Sequence, residues 1–460
     1  MSTVSFTKDR PAQVSYPLAA LGAPPVSGQE DDVARVANTP IGRDDFAFLA
    51  PFVKYLGVTP RFQDVLASFD TPAGHTPPGF RIETELKPGG LLAVDLVRDI
   101  SYGADGVQRP TTLIFSADSA NPYEVAPIAP LLGNLTCNPG IVYDLFINNP
   151  KANVGHQFST REEVMTEIGR ILGPGCDISV ELNNPFADFA QLAEEAAMFK
   201  ELLGEYRVII KVPHTGPVNA QNVHQLLEGD QRLDTRYDQA TTADALRGHN
   251  LALQLHELGY RINFTLMFEP YQTALALQAK PAFINSFVRH RMKHSASIER
   301  FVNAYQSTGD PQHLEQLRSF LLANDYLAAN EADRPLLDCV KIGRDFLRYR
   351  AWNDDFGSDG LDNVRRNLRW LRQSNLPDTR LIICSMEGEY NYPDIDNLLS
   401  DPEYADMIDR VVLTAEPAYL ARFTCTPQVV SYQRRFMKAA GTAQSGKPSP
   451  LVQEAERLAA

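Results

Sequence analysis

Cysteine is scarce in this chain, and the few cysteines are scattered. The 460 residues contain five cysteines and no Cys-x-x-Cys pair: Cys137, Cys176, Cys339, Cys384 and Cys425. Scattered single cysteines argue against both a disulfide framework and a cysteine-based zinc site. The sequence therefore predicts reduced thiols and no metal ion.

Long apolar runs are also absent. No stretch approaches the roughly 18 apolar residues that a membrane span requires, and residues 1–10 lack the apolar core of a signal peptide. We therefore expect a cytoplasmic protein with no membrane partner. A net charge of −14 argues against a nucleic-acid partner, which needs clustered Lys and Arg.

The usual cofactor and hydrolase motifs are missing as well. The sequence contains no G-x-G-x-x-G, no Walker sequence and no nucleophile elbow. We predict an enzyme that uses no cofactor.

The chain is longer than one compact core needs, so we expect a large domain with additions. Residues 1–105 form a partly helical extension, with a Pro- and Ala-rich arm over 16–40, predicted to be mobile, and helical spacing over 44–69. Residues 106–440 form the main domain, and 441–460 a tail.

The main domain alternates short apolar runs with longer amphipathic stretches, which is typical of βα units around a parallel sheet. Eight strands are predicted, over 111–118, 133–138, 176–182, 206–213, 260–268, 281–288, 380–386 and 408–415. Eight is the number that closes a barrel, so the predicted fold is an α/β (β/α)8 TIM barrel with long insertions. The longest insertions follow the fourth and sixth strands.

Small or polar residues recur at one parity near the ends of five strands, while the other parity is largely apolar. Residues two apart share a face of a strand, and the pairs are Ser116/Asp118, Thr136/Asn138, Ser179/Glu181, Ile209/Lys211 and Asn263/Thr265. We predict that these side chains converge at the barrel mouth, where barrel enzymes hold their active sites.

Lys211 lies in an apolar strand, Val208-Ile209-Ile210-Lys211-Val212-Pro213. Burial disfavours an ammonium group, so we expect a lowered pKa and a neutral amine able to attack a carbonyl. The alternative is a lysine that extends to solvent or pairs with Asp118 or Glu181 for stability alone. Because buried lysines are rare and perturbed groups gather at active sites, we favour the catalytic interpretation.

The motifs around these residues resemble the transaldolase family, whose enzymes form Schiff bases. They are Ala117-Asp118-Ser119, Thr136-Cys137-Asn138-Pro139-Gly140, Ser179-Val180-Glu181, Ile210-Lys211-Val212-Pro213-His214-Thr215 and Asn263-Phe264-Thr265-Leu266-Met267-Phe268. The resemblance covers residues 110–290 well and weakens towards 420.

The resemblance implies a role for each motif residue. Lys211 is similar to the lysine that holds a dihydroxyacetone unit as an enamine, and Asp118 to the acid/base of carbon–carbon cleavage. Glu181 and Thr265 are similar to the pair that orients water for imine formation. Asn138 and Asn263 are similar to residues that hydrogen-bond the three-carbon unit. The implied reaction transfers this unit from a ketose to an aldehyde, as in the pentose phosphate pathway.

The pattern departs from the family where substrate phosphate is bound. After the sixth strand, the candidate substrate-binding residues are Asn285, Ser286, Arg289, His290 and Arg291. After the seventh strand, the sequence has Glu387 and Glu389 where the family has an arginine. His214, beside Lys211, is a further candidate contact, with a packing role equally open. These changes favour an unphosphorylated or amine-bearing substrate.

Three functions stay open. The first is a transaldolase-like transferase for a sugar or another small carbonyl substrate. The second is a specialised Lys-dependent aldolase or imine-forming condensing enzyme of secondary metabolism. The third is a non-catalytic barrel that binds a sugar or a protein. The sequence does not fix the number of subunits, and a homodimer stays open.

Overall fold

The computed structural model describes residues 3–7, 10–69, 71–72, 74–77, 79–103, 108–204, 206–350, 360–385, 391–445 and 457. The chain divides into two compact units, Met1–Ala415 and Glu416–Ala460. Among the described helices, each is too short or too polar to pass through a lipid bilayer.

The N-terminal extension contains two small sheets with helices beside them. Its strands are β1 (Thr3–Thr7), β2 (Arg10–Pro17), β3 (Pro40–Gly42), β4 (Tyr55–Val58), β5 (Phe80–Lys87) and β6 (Leu91–Arg98). Strands β1, β2 and β3 form an antiparallel sheet, and the second sheet has the order β4-β6-β5. The helices are α1 (Glu30–Val36), α2 (Arg43–Leu49) and α3 (Pro60–Ser68), with a 3-10 helix at Leu18–Leu21.

The extension has more regular structure than its sequence suggested. Residues 16–40, predicted to be a mobile arm, instead carry the end of β2, a 3-10 helix and α1, and Leu18 and Val33 are buried in the core of the extension. The helical spacing over 44–69 gives α2 and α3, but β4 lies between them. Strand β5 alternates apolar and polar residues, a pattern that marks a half-buried strand.

The main body is a closed barrel of parallel strands, which confirms the predicted fold. The strands are β7 (Ile114–Asp118), β8 (Leu132–Thr136), β9 (Asp177–Glu181), β10 (Arg207–Pro213), β11 (Ile262–Thr265), β12 (Phe283–Phe287), β13 (Arg380–Cys384) and β14 (Val411–Ala415). Neighbours in sequence are neighbours in the barrel, and β14 pairs with β7 to close it.

Helices follow the strands, and most of them cover the outside of the barrel. They are α4 (Pro122–Val125), α5 (Pro139–Val142), α6 (Arg161–Leu172), α7 (Phe189–Leu202), α8 (Thr242–Glu257), α9 (Pro270–Ala276), α10 (Val288–Thr308), α11 (Gln312–Ala323), α12 (Leu336–Tyr349), α13 (Asp362–Gln373) and α14 (Asn391–Ser400). Shorter pieces are the 3-10 helices Ala126–Leu131, Val223–Leu226, Leu277–Ala279, Ala329–Glu331, Pro402–Tyr404 and Ile408–Arg410, and a π-helix at Tyr143–Ile147.

The long insertion after β12 is a helical layer with its own core. Helices α10, α11 and α12 bury Ile298, Val302, Leu317 and Leu321 together. Because this layer begins directly after β12, at the carboxyl end of that strand, it is placed beside the barrel mouth.

The second unit, Glu416–Ala460, contains α15 (Pro417–Leu420), the 3-10 helix Ala421–Thr424 and α16 (Pro427–Ser445). The domain limits inferred from sequence, at 105/106 and 440/441, stay predictions.

The barrel interior changes character along the strands. Near their amino ends, an apolar layer is formed by Ile114, Ile209, Phe283, Ile382 and Val412. Towards the carboxyl ends the inward side chains become polar and charged. Side chains on the same face of a strand are two residues apart, so Lys211 lies above Ile209 at the mouth.

Candidate active site

Lys211 lies inside the barrel and is held against a carboxylate. Its side chain on β10 is 7% exposed, and its Nζ lies 3.1 Å from Oε2 of Glu181 on β9. Lys211 and Glu181 are direct partners in the strand register, so their side chains share the inner face. Nζ also donates to the Cys137 carbonyl oxygen at 3.3 Å.

Close packing behind β10 fixes this strand. Gly248 of α8 has no side chain, and a Cβ at that position would come within 2.2 Å of the Pro213 carbonyl oxygen. The helix therefore approaches the end of β10 as closely as only glycine permits, which limits the freedom of the backbone next to Lys211.

The protonation state of Lys211 differs from the sequence prediction. Burial alone would lower the pKa of the amine, but the carboxylates of Glu181 and Asp118 outweigh burial and raise the pKa of Lys211 above its ordinary value. The expectation of a lowered pKa in the free protein is therefore wrong. The resting side chain is an ammonium, and any imine chemistry must begin with transfer of its proton.

Asp118 provides the second carboxylate. It ends β7, two residues after the inward-facing Ser116, and it is half-buried. Its charge acts on Lys211 and also contributes to raising the pKa of the buried Cys137 and Cys384 thiols, for which burial is the main cause. Asp118, Lys211 and Glu181 together form a mouth cluster of one amine and two acids.

Thr265 completes the predicted catalytic set on the other side of β10. It ends β11, it is 1% exposed, and it pairs in register with Pro213. Lys211 is therefore flanked by β9 with Glu181 and by β11 with Thr265. The structure brings the four predicted catalytic residues to one end of the barrel.

Asn263 and Asn285 lie in a buried hydrogen-bonded chain below this cluster. Asn263 Nδ2 donates to Ser179 Oγ at 3.1 Å, and its Oδ1 accepts from Asn285 Nδ2 at 2.7 Å. Asn134 extends the chain, because its Oδ1 accepts from Ser179 Oγ at 3.5 Å and its Nδ2 donates to Ser116 Oγ at 2.9 Å. The predicted substrate contacts Asn263 and Asn285 thus face inward, but much of their bonding capacity is already used in holding β9, β11 and β12 together.

Asn138 has a structural bond as well as a place at the mouth. Its Oδ1 accepts from the Ile141 N–H at 2.9 Å and so caps α5. Among the described residues its Nδ2 makes no hydrogen bond, and the residue is half-buried. The amide can therefore cap the helix and still donate to a substrate.

Two predicted substrate contacts, Ser286 and Arg291, have partners within the protein. Ser286 follows the inward-facing Asn285, so it points out of the barrel, where its Oγ accepts from Asn367 Nδ2 of α13 at 2.6 Å. Arg291 is 1% exposed and binds both carboxylate oxygens of Asp362 at 2.7 and 2.6 Å, with a further ion pair to Glu269. Burial lowers the pKa of Arg291, but these carboxylates outweigh burial and raise it. They also occupy the hydrogen-bond donors of the guanidinium group.

Arg289 and His290 lie at the start of α10 and have different surroundings. Arg289 N donates to the Ser385 carbonyl at 2.7 Å, and its side chain donates to Ser385 Oγ at 3.4 Å. Its charge lowers the pKa of the nearby Cys384 thiol, although burial raises that pKa more strongly. His290 is exposed and lies against Phe268 and His294, with ring centroids 5.1 and 3.7 Å away.

His214 has the character of a packing residue. Its ring lies 4.3 Å from the ring of Phe264, whose side chain faces away from the barrel interior because Asn263 and Thr265 face inward. Burial, with a smaller effect of His249, lowers the pKa of His214 to about 4. A neutral ring on the outer side of β11 is poorly placed to contact a substrate. The remaining predicted contact, Glu387, and the nearby Glu389 lie outside the described residues.

Arg161 is a site residue that sequence reasoning missed. It is 4% exposed, and its Nη1 donates to the Glu181 carbonyl at 3.1 Å while its Nη2 pairs with Glu195 at 2.6 Å. The guanidinium therefore fixes the end of β9 that carries Glu181. A signal was available: a basic residue in the first turn of a helix opposes the helix dipole, so it suggests a tertiary role.

The described residues contain no group of three or more His, Cys, Asp or Glu that could hold a metal ion. No model of a known protein family matches the chain, and no curated protein matches its sequence significantly. The residues and their geometry therefore carry any functional assignment.

Proposed function

We propose that the chain is a transaldolase-like transferase that forms a Schiff base between Lys211 and a ketose. The supporting observation is the buried Lys211 amine, 3.1 Å from Glu181 at the carboxyl end of a closed barrel. A lysine that served stability alone would not need a second carboxylate and a threonine gathered around it at the mouth.

The first half of the reaction forms the imine. Glu181 accepts a proton from the Lys211 ammonium, and the freed amine attacks the ketose carbonyl carbon to form a carbinolamine. Loss of water, helped by the Glu181 carboxyl group and the Thr265 hydroxyl, gives a protonated imine. The raised pKa of Lys211 makes this proton transfer an essential step.

The second half breaks and remakes a carbon–carbon bond. Asp118 accepts the proton of the hydroxyl two carbons from the imine carbon. The bond between the intervening carbon and the hydroxyl-bearing carbon breaks, its electrons move to the imine to form an enamine, and an aldehyde leaves. The enamine attacks a second aldehyde, Asp118 returns the proton, and water hydrolyses the new imine.

A specialised aldolase or condensing enzyme is the second candidate, and Arg291 is the observation that favours it. A phosphate-binding arginine must offer unpaired donors to the ligand, whereas Arg291 is saturated by Asp362 and Glu269. At the start of α10, Arg289 lies near Cys384 and the barrel mouth. A substrate without phosphate fits this arrangement, and release of the three-carbon unit instead of its transfer would define an aldolase.

The proposal is tested by following carbon transfer with labelled donors. Purified protein is incubated with ¹³C-labelled fructose or fructose 6-phosphate and an excess of erythrose, and products are followed by NMR. We expect a labelled seven-carbon ketose from the wild type and from the exposed-lysine control Lys151→Met, and none from Lys211→Met. Labelled dihydroxyacetone alone would identify an aldolase. Equal turnover by Lys211→Met would overturn both assignments.

A further inference from the structure

A large cavity lies at the opposite end of the barrel from Lys211. It has a volume of about 880 Å³ and is lined by residues at the amino ends of strands, among them Val208, Phe283 and Arg380, and by the second sheet of the extension. This volume falls within the usual range of small-molecule sites, roughly 300–1,000 Å³. The proposed chemistry at the mouth makes no use of it.

The inner wall of this cavity carries an unbalanced cluster of buried charge. Asp177, which is fully buried, pairs with Arg98 at 3.3 Å, Arg207 at 2.8 Å and Arg261 at 3.1 Å. Three guanidinium groups therefore share one carboxylate, which leaves two positive charges without a compensating acid in the cluster. We call these four residues the basal cluster.

The arginines are held in fixed positions. Arg207 is fully buried, and its Nη2 donates to the Gly175 carbonyl at 2.8 Å. Gly79, at φ +73°, leaves the space for it, because a Cβ there would lie 1.1 Å from Arg207 Nη1. Arg98 lies over Phe80 at 5.0 Å and Arg261 over Phe283 at 5.9 Å.

Two of the three arginines keep donors towards the cavity. Arg98 and Arg261 line it with side chains 21% and 29% exposed, and each donates to Asp177 through Nη1 alone. Within the described residues, their Nε and Nη2 atoms have no hydrogen-bond acceptor. Burial is the main cause that lowers the pKa of both arginines, and the charges of the neighbouring arginines lower it further.

Further positive charge surrounds the same cavity. Lys200 and Lys280 line it, and the described residues give neither an ion-pair partner. Lys200 lies 5.6 Å above the ring of Tyr260. Two acids, Asp64 and Asp378, also line the cavity. Asp378 lies 3.8 Å from Arg81, and its charge also acts on Arg261, so it offsets part of the positive charge. A net charge of −14 over the whole chain makes this concentration of cations a local feature, not a property of the overall composition.

We propose that this basal cavity binds a phosphorylated small molecule, with its phosphate oxygens on Arg98 and Arg261 and with Lys200 and Lys280 at the rim. Guanidinium groups match phosphate geometry in pairs of hydrogen bonds. Two unbalanced arginines and two lysines exceed the charge of a single carboxylate, so a multivalent anion fits better. Arg98 belongs to the extension and Arg261 to the barrel, so the ligand joins the two parts. This inference does not depend on the reaction at Lys211.

The test is anion binding to the full-length protein at constant ionic strength. Thermal unfolding and calorimetric titration are measured with pyrophosphate, against sodium chloride as the reference salt. We expect pyrophosphate to raise the melting temperature, since a ligand that binds only the folded state stabilises it. Arg261→Gln should weaken pyrophosphate binding about tenfold or more, as loss of a charged hydrogen bond does.

Control variants separate this site from the mouth and from a purely structural role. Arg289→Gln, at the mouth, should keep wild-type pyrophosphate affinity. Without ligand, Arg261→Gln should melt no earlier than the wild type, because Asp177 keeps Arg98 and Arg207 while one repulsive charge is gone. If Arg261→Gln does not fold, the rim double variant Lys200→Gln/Lys280→Gln decides the question through a several-fold loss of affinity.

Three results would overturn the proposal. The first is no binding of pyrophosphate at millimolar concentration. The second is binding that Arg289→Gln abolishes and the basal variants leave intact, which would place the anion at the mouth. The third is an Arg261→Gln protein with a lower melting temperature and unchanged pyrophosphate affinity, which would assign the basal cluster to structure alone.

Discussion

The two ends of the barrel carry opposite charge imbalances. At the mouth, one amine, Lys211, faces two acids, Glu181 and Asp118. At the base, one acid, Asp177, faces three guanidinium groups. An apolar layer including Ile209 lies between the two ends.

The comparison shows that the sign of the excess charge decides whether a buried cluster suits proton transfer or anion binding. Excess acid at the mouth keeps Lys211 protonated and offers acceptors for its proton, which suits proton-transfer chemistry. Excess cation at the base cannot be relieved by titration, because arginine stays charged in proteins. We expect a bound anion to balance the excess positive charge at the base instead.

The largest expected effect separates imine formation from carbon–carbon cleavage at the mouth. Asp118→Ala should lower the rate of three-carbon transfer by about 10²–10⁴-fold, the usual contribution of a general acid/base. Adduct formation at Lys211 should persist, because Glu181 still accepts the lysine proton. Transfer kinetics and borohydride trapping are measured on the same preparation, and equal loss of both would contradict the role of Asp118.

The next effect concerns stability at the base. Asp177→Asn removes the one carboxylate of the basal cluster, and breaking a buried ion pair in this way costs about 3–5 kcal/mol. Urea denaturation measures the free energy of unfolding. Asp118→Asn is the matched control at the mouth. Because Lys211 keeps its ion pair with Glu181, the loss of unfolding free energy in this variant should be smaller. Equal stabilities of Asp177→Asn and wild type would show that the basal ion pairs carry no net energy.

A smaller effect sharpens the electrostatics of the mouth. Glu181→Gln should slow imine formation on the order of 10²-fold, the low end of general acid–base contributions. Because Glu181 helps to raise the pKa of Lys211, its loss should also move the pH midpoint of trapping to lower pH. Cyanoborohydride trapping rates across pH measure both, with the exposed Glu194→Gln as control. An unchanged midpoint would refute the coupling.

The smallest effect tests the packing role of His214. The pKa of His214 falls from 6.5 to about 4 in the folded protein. Between these pH values the His214 ring binds a proton in the unfolded chain but stays neutral in the folded protein. Stability should therefore fall as the pH is lowered, by about 1.4 kcal/mol per unit between these values. His214→Phe should flatten this dependence in urea denaturation at pH 7 and 5.5, with the exposed His224→Gln as control. A slope equal to that of the wild type would contradict it.

The barrel fold and the inward-facing residues of its strands could be predicted from sequence, because both follow from local patterns. Alternation along β9 and β10 sufficed to place Glu181 and Lys211 on the inner face, and their register makes them neighbours. The same rule, applied to β12, places Asn285 and Ser286 on opposite faces of the strand, so only one of the two side chains can face the barrel interior.

Other features depend on residues far apart in sequence and could not be read locally. Arg291 is taken up by Asp362, 71 residues away. The pKa of Lys211 depends on whether burial or the carboxylates of two other strands prevail, a balance that needs distances. The basal cluster combines Arg98 of the extension with Arg261 of the barrel, and no single sequence motif predicts this combination.

The most direct test of the central claim is reductive trapping of the imine. The protein is treated with borohydride in the presence of fructose, fructose 6-phosphate or dihydroxyacetone, then digested and mapped by mass spectrometry. The mechanism predicts a stable adduct on the peptide that contains Lys211 and its absence in Lys211→Met. An adduct confined to other lysines, or none with any of these ketoses, would contradict the Schiff-base mechanism.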